Sequence, residues 1–224
     1  MEQQLQKELA YIYHYLKTYF DEMLIVDLKK MRREHKQLDF TLPYIHLVNA
    51  GIDFLGGLEK GFYEVNIKGK KIRNSGPRSR YFIEKWMGRV NELYKHEGMS
   101  ELIYESIRCG LAHQAIFKEG VESYKGDNLR EKHLFVRIDP DKEERIFIHA
   151  LQYTDDFLKV QKIFRREFII EKNIHIVYKR LCKLKKDKIK QLPNLIKNLK
   201  NKGYKFEEYP PATPSYGPGE NNYV

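Results

Sequence analysis

Long apolar runs are what this chain lacks first. No stretch of about 18 consecutive apolar residues occurs in its 224 residues, so a helical membrane span is not expected. Cysteine is scarce too: Cys109 and Cys182 are the two present. They offer neither a disulfide ladder nor a paired zinc spacing, and they suit a reducing cytoplasm. The histidines His14, His35, His46, His96, His133, His149 and His175 show no His-x-x-x-His pattern beside an acid. No metal and no cofactor is therefore expected. The first residues carry charges throughout rather than the basic-then-apolar order of a secretory signal. Gly51, Gly56 and Gly57 follow no strand and precede no Gly-Lys-Ser/Thr, which excludes a phosphate loop and leaves packing or helix-stop roles. No internal repeat is present.

Charge is abundant, and it is unevenly placed. Between Lys179 and Lys205 stand eleven Lys or Arg against one acid, Asp187, while the rest of the chain holds 30 basic and 30 acidic residues. The net charge of +10 is thus local. Such a block attracts phosphate backbones through counterion release, without sequence preference. Lys179, Arg180, Lys183, Lys185, Lys186, Lys188 and Lys190 are its candidate nucleic-acid contacts. A solvated, lysine-rich helix that aids solubility is the equal alternative.

Apolar periodicity predicts helices. Leu5, Leu9, Ile12, Leu16, Phe20, Met23 and Leu24 recur at three or four from about Glu2 to His35. The tyrosines Tyr11, Tyr13, Tyr15 and Tyr19 are read as flanking that stripe. Thr41 and Pro43 open a second helix, expected to stop at Gly56-Gly57, with Ala50 and Gly51 allowing a close neighbour. A third is expected over Arg80–Lys95, after a basic connection in which Tyr63–Ile67 suits a short strand. Strands over His133–Ile138 and Arg145–Leu151 predict a hairpin around Asp139-Pro140-Asp141. Thr154 with Asp155 and Asp156 is expected to start a last helix that breaks near Asn173 and carries the lysine block. The end, Glu207–Val224, holds four prolines and reads as a disordered tail or an arm.

The remaining stretch, Ser100–Gln114 (SELIYESIRCGLAHQ), is read as an amphipathic helix with Ser100 as N-cap and Leu102, Ile103, Ile107 and Leu111 facing a core. Off that apolar line stand Arg108 and, five positions on, His113. Arginine offers phosphate oxygens a permanent cationic fork, and imidazole titrates near neutrality, so the pair suits phosphoryl chemistry without a metal. On an ideal helix five residues turn about 500°, which leaves the two about 140° apart. Gly110, between them, permits a bend. The plainer reading pairs Arg108 with Glu101 or Glu105 and has His113 cap the helix end.

The Arg-x-x-x-x-His spacing at the end of a helix in a mostly helical chain resembles the signature of the HEPN superfamily. The elements above sum to a mainly α fold, a bundle of four to five helices with an inserted β-hairpin, which the resemblance makes HEPN-like. It would occupy residues 1–185, with the hairpin near 133–151, and be followed at 186–224 by the basic segment and Pro-rich tail. The resemblance implies a homodimer that cuts RNA without metal in a shared cleft, as toxin or antiviral-defence nucleases do. Arg108 and His113 would be catalytic, RNA the substrate, and an antitoxin or regulatory protein a further partner. Cys109 stands where catalytic members usually carry a polar residue. The alternative is a non-catalytic helical module that binds nucleic acid or an acidic protein.

Overall fold

The computed structural model describes residues 2–34, 41–62, 65–67, 70–72, 75–108, 121–124, 133–138 and 144–203. The fold is mainly helical. Two compact units divide it, Met1–Leu184 and Lys185–Val224.

In the first unit, α1 (Glu2–Leu16) continues through a π-wound Lys17–Ile25 into α2 (Val26–Glu34). The single expected helix is thus one run with a widened middle. Tyr15 of this run is buried with its ring near those of Tyr19 and Phe54, whereas Tyr13 and Tyr19 stay exposed. The central helix is α3 (Thr41–Lys60). Its Tyr44, Ile45, Val48, Ile52 and Leu55 are fully buried and form the middle of the core. Gly51 lies under Phe157, where any Cβ would run into the ring. The helix does not stop at Gly56-Gly57; it ends at Gly61, whose φ of +98° glycine adopts without penalty.

A short antiparallel pair, β1 (Val65–Ile67) and β2 (Lys70–Ile72), leads to α4 (Ser75–Lys85). The third helix therefore starts and ends earlier than its periodicity suggested. After Trp86 the chain makes two 3₁₀ turns, Met87–Arg89 and Glu92–Lys95, and extended Asn91 caps the second by accepting from the Leu93 N–H. Then come α5 (Met99–Leu102) and a π-wound Ile103–Arg108. Gly98, not Ser100, is the N-cap; Ser100 instead donates its hydroxyl to Glu84 of α4.

The two expected strands are present as β4 (Phe135–Ile138) and β5 (Glu144–His149), paired antiparallel with Phe135 opposite Phe147, and the turn expected at Asp139-Pro140-Asp141 lies outside the described residues. A strand absent from the sequence reading, β3 (Val121–Tyr124), adds parallel to β5, giving the order β3-β5-β4. Helix α6 (Ala150–Phe164) begins where β5 was expected to continue, because His149 caps it: the Gln152 N–H donates to His149 Nδ1 at 3.1 Å. Thr154, expected as a cap, lies inside the helix and donates to the Ala150 carbonyl at 2.8 Å. A π-wound Arg165–Ile170 follows, then a break at residues 171–173, then α7 (Ile174–Asn201). Within the first unit, Val177 and Leu181 bury one side of α7. In the second unit the described residues are helical through Asn201. The Pro-rich tail lies outside the described residues.

Candidate nucleic-acid interface

Arg108 is the last described residue of the π-wound segment that follows α5. Ile103 and Ile107 of that segment are fully buried, and Tyr104 is nearly so, with its hydroxyl 3.2 Å from that of Ser75. The helix is thus pinned to the bundle up to the residue before Arg108. Winding here is π, with i→i+5 bonds, rather than the α geometry on which the 140° separation rests. The same winding at Lys17–Ile25 and Arg165–Ile170 shows that it does not single out this segment. Of the carboxylates offered as partners for Arg108, Glu101 accepts from Arg80 at 3.2 Å. Cys109 and His113 lie outside the described residues, as does the side chain of Arg108.

The basic residues of α7 divide by environment. In the first unit Lys179 and Lys183 are exposed, whereas Arg180 is half-buried and donates to the carbonyls of Leu58 and Glu59 at the end of α3. Burial lowers its pKa, but the C-terminal carbonyls of a helix, which lack intrahelical partners, are where a cation is stabilised. Arg180 therefore acts first as a tie between helices. In the second unit Lys185, Lys186, Lys197, Lys200 and Lys202 are exposed. Lys188 and Lys190 stand on helical backbone, and their side chains are outside the description.

A cluster the sequence reading left out surrounds the same end of α3. Lys60 Nζ lies 3.5 Å from the Tyr81 ring centroid and Lys85 Nζ lies 5.1 Å from it. Glu59, 6% exposed at its side chain, accepts from Tyr81 (3.1 Å), Lys85 (2.5 Å) and the Trp86 indole. Burial works against the Lys85 charge, but the bonds to Glu59 and Tyr81 outweigh it and hold that ammonium above its ordinary pKa. Arg89 stacks near Trp86, 5.3 Å from the ring centroid, and is held by Glu167 at 2.6 and 3.0 Å. The sequence signal was a four-residue row, Tyr81, Lys85, Arg89, with Trp86 beside it. No chain pattern could show that Lys60 joins it.

A second polar group is interior. Asp156, 1% exposed, accepts from Gln152 (2.7 Å), Asn91 (3.2 Å) and Tyr94 (3.2 Å), and Tyr94 lies 2.8 Å from His133 Nε2. The His149 N–H donates to His133 Nδ1 at 3.2 Å. With Nδ1 accepting, Nε2 carries the proton and donates to the Tyr94 oxygen, whose own proton goes to Asp156. Burial pushes the His133 pKa down to about 3 and raises those of Asp156 and Tyr94. Leu134 beside it has a φ of +55°, an unusual conformation for a bulky residue, and directs itself and His133 inward.

No family model, curated protein or solved structure matches the chain. Among the described residues no group of three His, Cys, Asp or Glu could hold a metal ion. No described helix is long and apolar enough to cross a membrane.

Proposed function

We propose that this chain is a metal-independent, HEPN-like endoribonuclease of toxin or antiviral-defence type, acting as a homodimer in the cytoplasm. In this reading the 2′-oxygen of a ribose adds to the adjacent phosphorus as the bond to the 5′-oxygen breaks, leaving a 2′,3′-cyclic phosphate. His113 takes the 2′-hydroxyl proton or supplies one to the departing 5′-oxygen. Arg108 stabilises the charge gathered on the phosphorane oxygens. The exposed lysines of α7 supply nonspecific attraction for RNA.

The observation that carries this reading is the setting of Arg108. It follows Ile107, fully buried in the bundle, on a helical segment packed against the core, as the resemblance expects of the arginine. The test is cleavage of RNA by the purified chain in a metal chelator from about pH 5 to 9, the range in which histidine titrates. His113→Ala and Arg108→Ala are each expected to lower the rate by about 10²-fold or more. Wild-type protein that leaves RNA intact at every pH removes the nuclease and leaves the non-catalytic binding module, with RNA or an acidic protein as its partner.

A further inference from the structure

We infer that the end of α3, with Lys60, Tyr81, Lys85 and Arg89, is a binding site for the phosphate backbone of single-stranded RNA. This inference rests on RNA being the ligand of the chain but not on its being cut. It adds a contact surface in the first unit to the lysines of α7.

Like charges are held together there. The Lys60 and Lys85 ammoniums both lie within about 5 Å of one ring centroid. A ring quadrupole attracts each of them but does not cancel their mutual repulsion. The carboxylate in reach, Glu59, is buried and already accepts from Tyr81, Lys85 and Trp86. Among the described residues Lys60 pairs with no carboxylate. Glu59 therefore fixes the platform and offsets one charge, and a net cationic point remains beside an aromatic ring.

Exposure fits a ligand. The side chains of Lys85 and Arg89 are 45% and 42% exposed although each is held by a carboxylate, so their remaining donors face water. Arg180 anchors α7 beside this cluster by donating to the carbonyls of Leu58 and Glu59 at the same end of α3. Lys60, Lys85 and Arg89, from three helical segments around the half-buried Tyr81 ring, make a mixture of charge and aromatic surface that suits a nucleic-acid strand, with Trp86 buried beside them. An acidic protein would need the charge but not the ring.

The chain has a single tryptophan, and it stands in this cluster. The experiment titrates the full-length protein with a short 2′-O-methyl oligouridylate, which cannot be cleaved through its 2′-oxygen, and reads Trp86 emission and labelled-strand anisotropy against salt. Saturable binding with a changed Trp86 emission is expected. Lys60→Ala, which leaves every bond to Glu59 in place, is expected to weaken binding about threefold to tenfold and to lower the slope of log K against log salt by about 0.7. Lys60→Ala/Lys85→Ala should double the loss of slope, with circular dichroism checking the fold. Wild-type affinity and slope in the correctly folded Lys60→Ala variant, with Trp86 unmoved by the strand, would overturn the site. Equal affinity for polyglutamate would overturn it too, in favour of an acidic protein partner. Absence of RNA cleavage bears on neither readout, so the two proposals fail separately.

Discussion

Tyr94 and Tyr81 each sit between a carboxylate and a nitrogen base, in opposite surroundings. Around Tyr94, Asp156 and His133 are buried, and burial drives both toward their neutral forms, with the aspartate pKa raised and the histidine lowered. Around Tyr81, Lys85 remains charged because its head reaches solvent and Glu59 and Tyr81 are bonded to it. The interior group spends every polar atom on its neighbours: it ties β5 and the start of β4 to α6 and to the turn that holds Asn91. The surface group keeps donors to spare. What separates a structural knot from a contact surface here is not residue type but whether charge survives folding.

The comparison breaks most visibly if Asp156 is removed. Asp156→Ala leaves the side-chain donors of Asn91, Tyr94 and Gln152 facing a buried gap, and unpaired buried donors cost about 1–3 kcal/mol each before the site relaxes. A loss of about 3–5 kcal/mol is expected, seen as a lower urea midpoint at unchanged slope. A loss below about 1 kcal/mol would mean that the knot is not part of the folded framework.

Much of the scaffold was legible beforehand because its signals are local. Three- and four-residue spacing marks the runs at α1, α3 and α6, alternation marks the hairpin, and the break expected near Asn173 falls at residues 171–173. The misreadings are tertiary. Ser100 looked like a cap, but its hydroxyl is taken by Glu84, sixteen residues away in the chain. His149 caps α6 with a ring nitrogen, which no Ser/Thr/Asp/Asn rule anticipates. Of the candidate site, the Arg108 motif is readable as spacing, yet its second half lies outside the described residues. Arg180 read as one more surface cation because nothing in its own segment points to the end of α3. Lys60 and Tyr81, 21 positions apart, give no sequence sign that they meet.

Acid sharpens the contrast further. The His133 pKa falls from about 6.5 in the unfolded chain to about 3 in the fold, so on acidification the unfolded state takes up the proton first. Its contribution is whole above about pH 6.5 and is lost as pH drops toward 3, by about 3 kcal/mol between pH 6.5 and 4. The raised Asp156 pKa has the opposite sign, adding stability as its carboxyl protonates, so the wild-type profile is a sum. His133→Gln removes one limb: its stability should decline less than wild type from pH 7 to 4. Parallel declines in the two proteins would show that the imidazole is not held neutral.

The smallest effect is the most telling for the surface group. Lys60 is exposed, and its ammonium over Tyr81 is an interaction worth about 0.5–1 kcal/mol at such a site. Part of that is offset by repulsion from Lys85, which its removal relieves. Lys60→Ala should therefore shift unfolding by less than about 1 kcal/mol, and by less still in high salt, where both opposing terms are screened. The same substitution alters the charge that a strand would meet. A variant as stable as wild type that has lost RNA affinity separates recognition from folding at this residue. A loss of stability comparable to that of Asp156→Ala would place Lys60 in the framework instead, and the two tyrosine clusters would then differ only in depth.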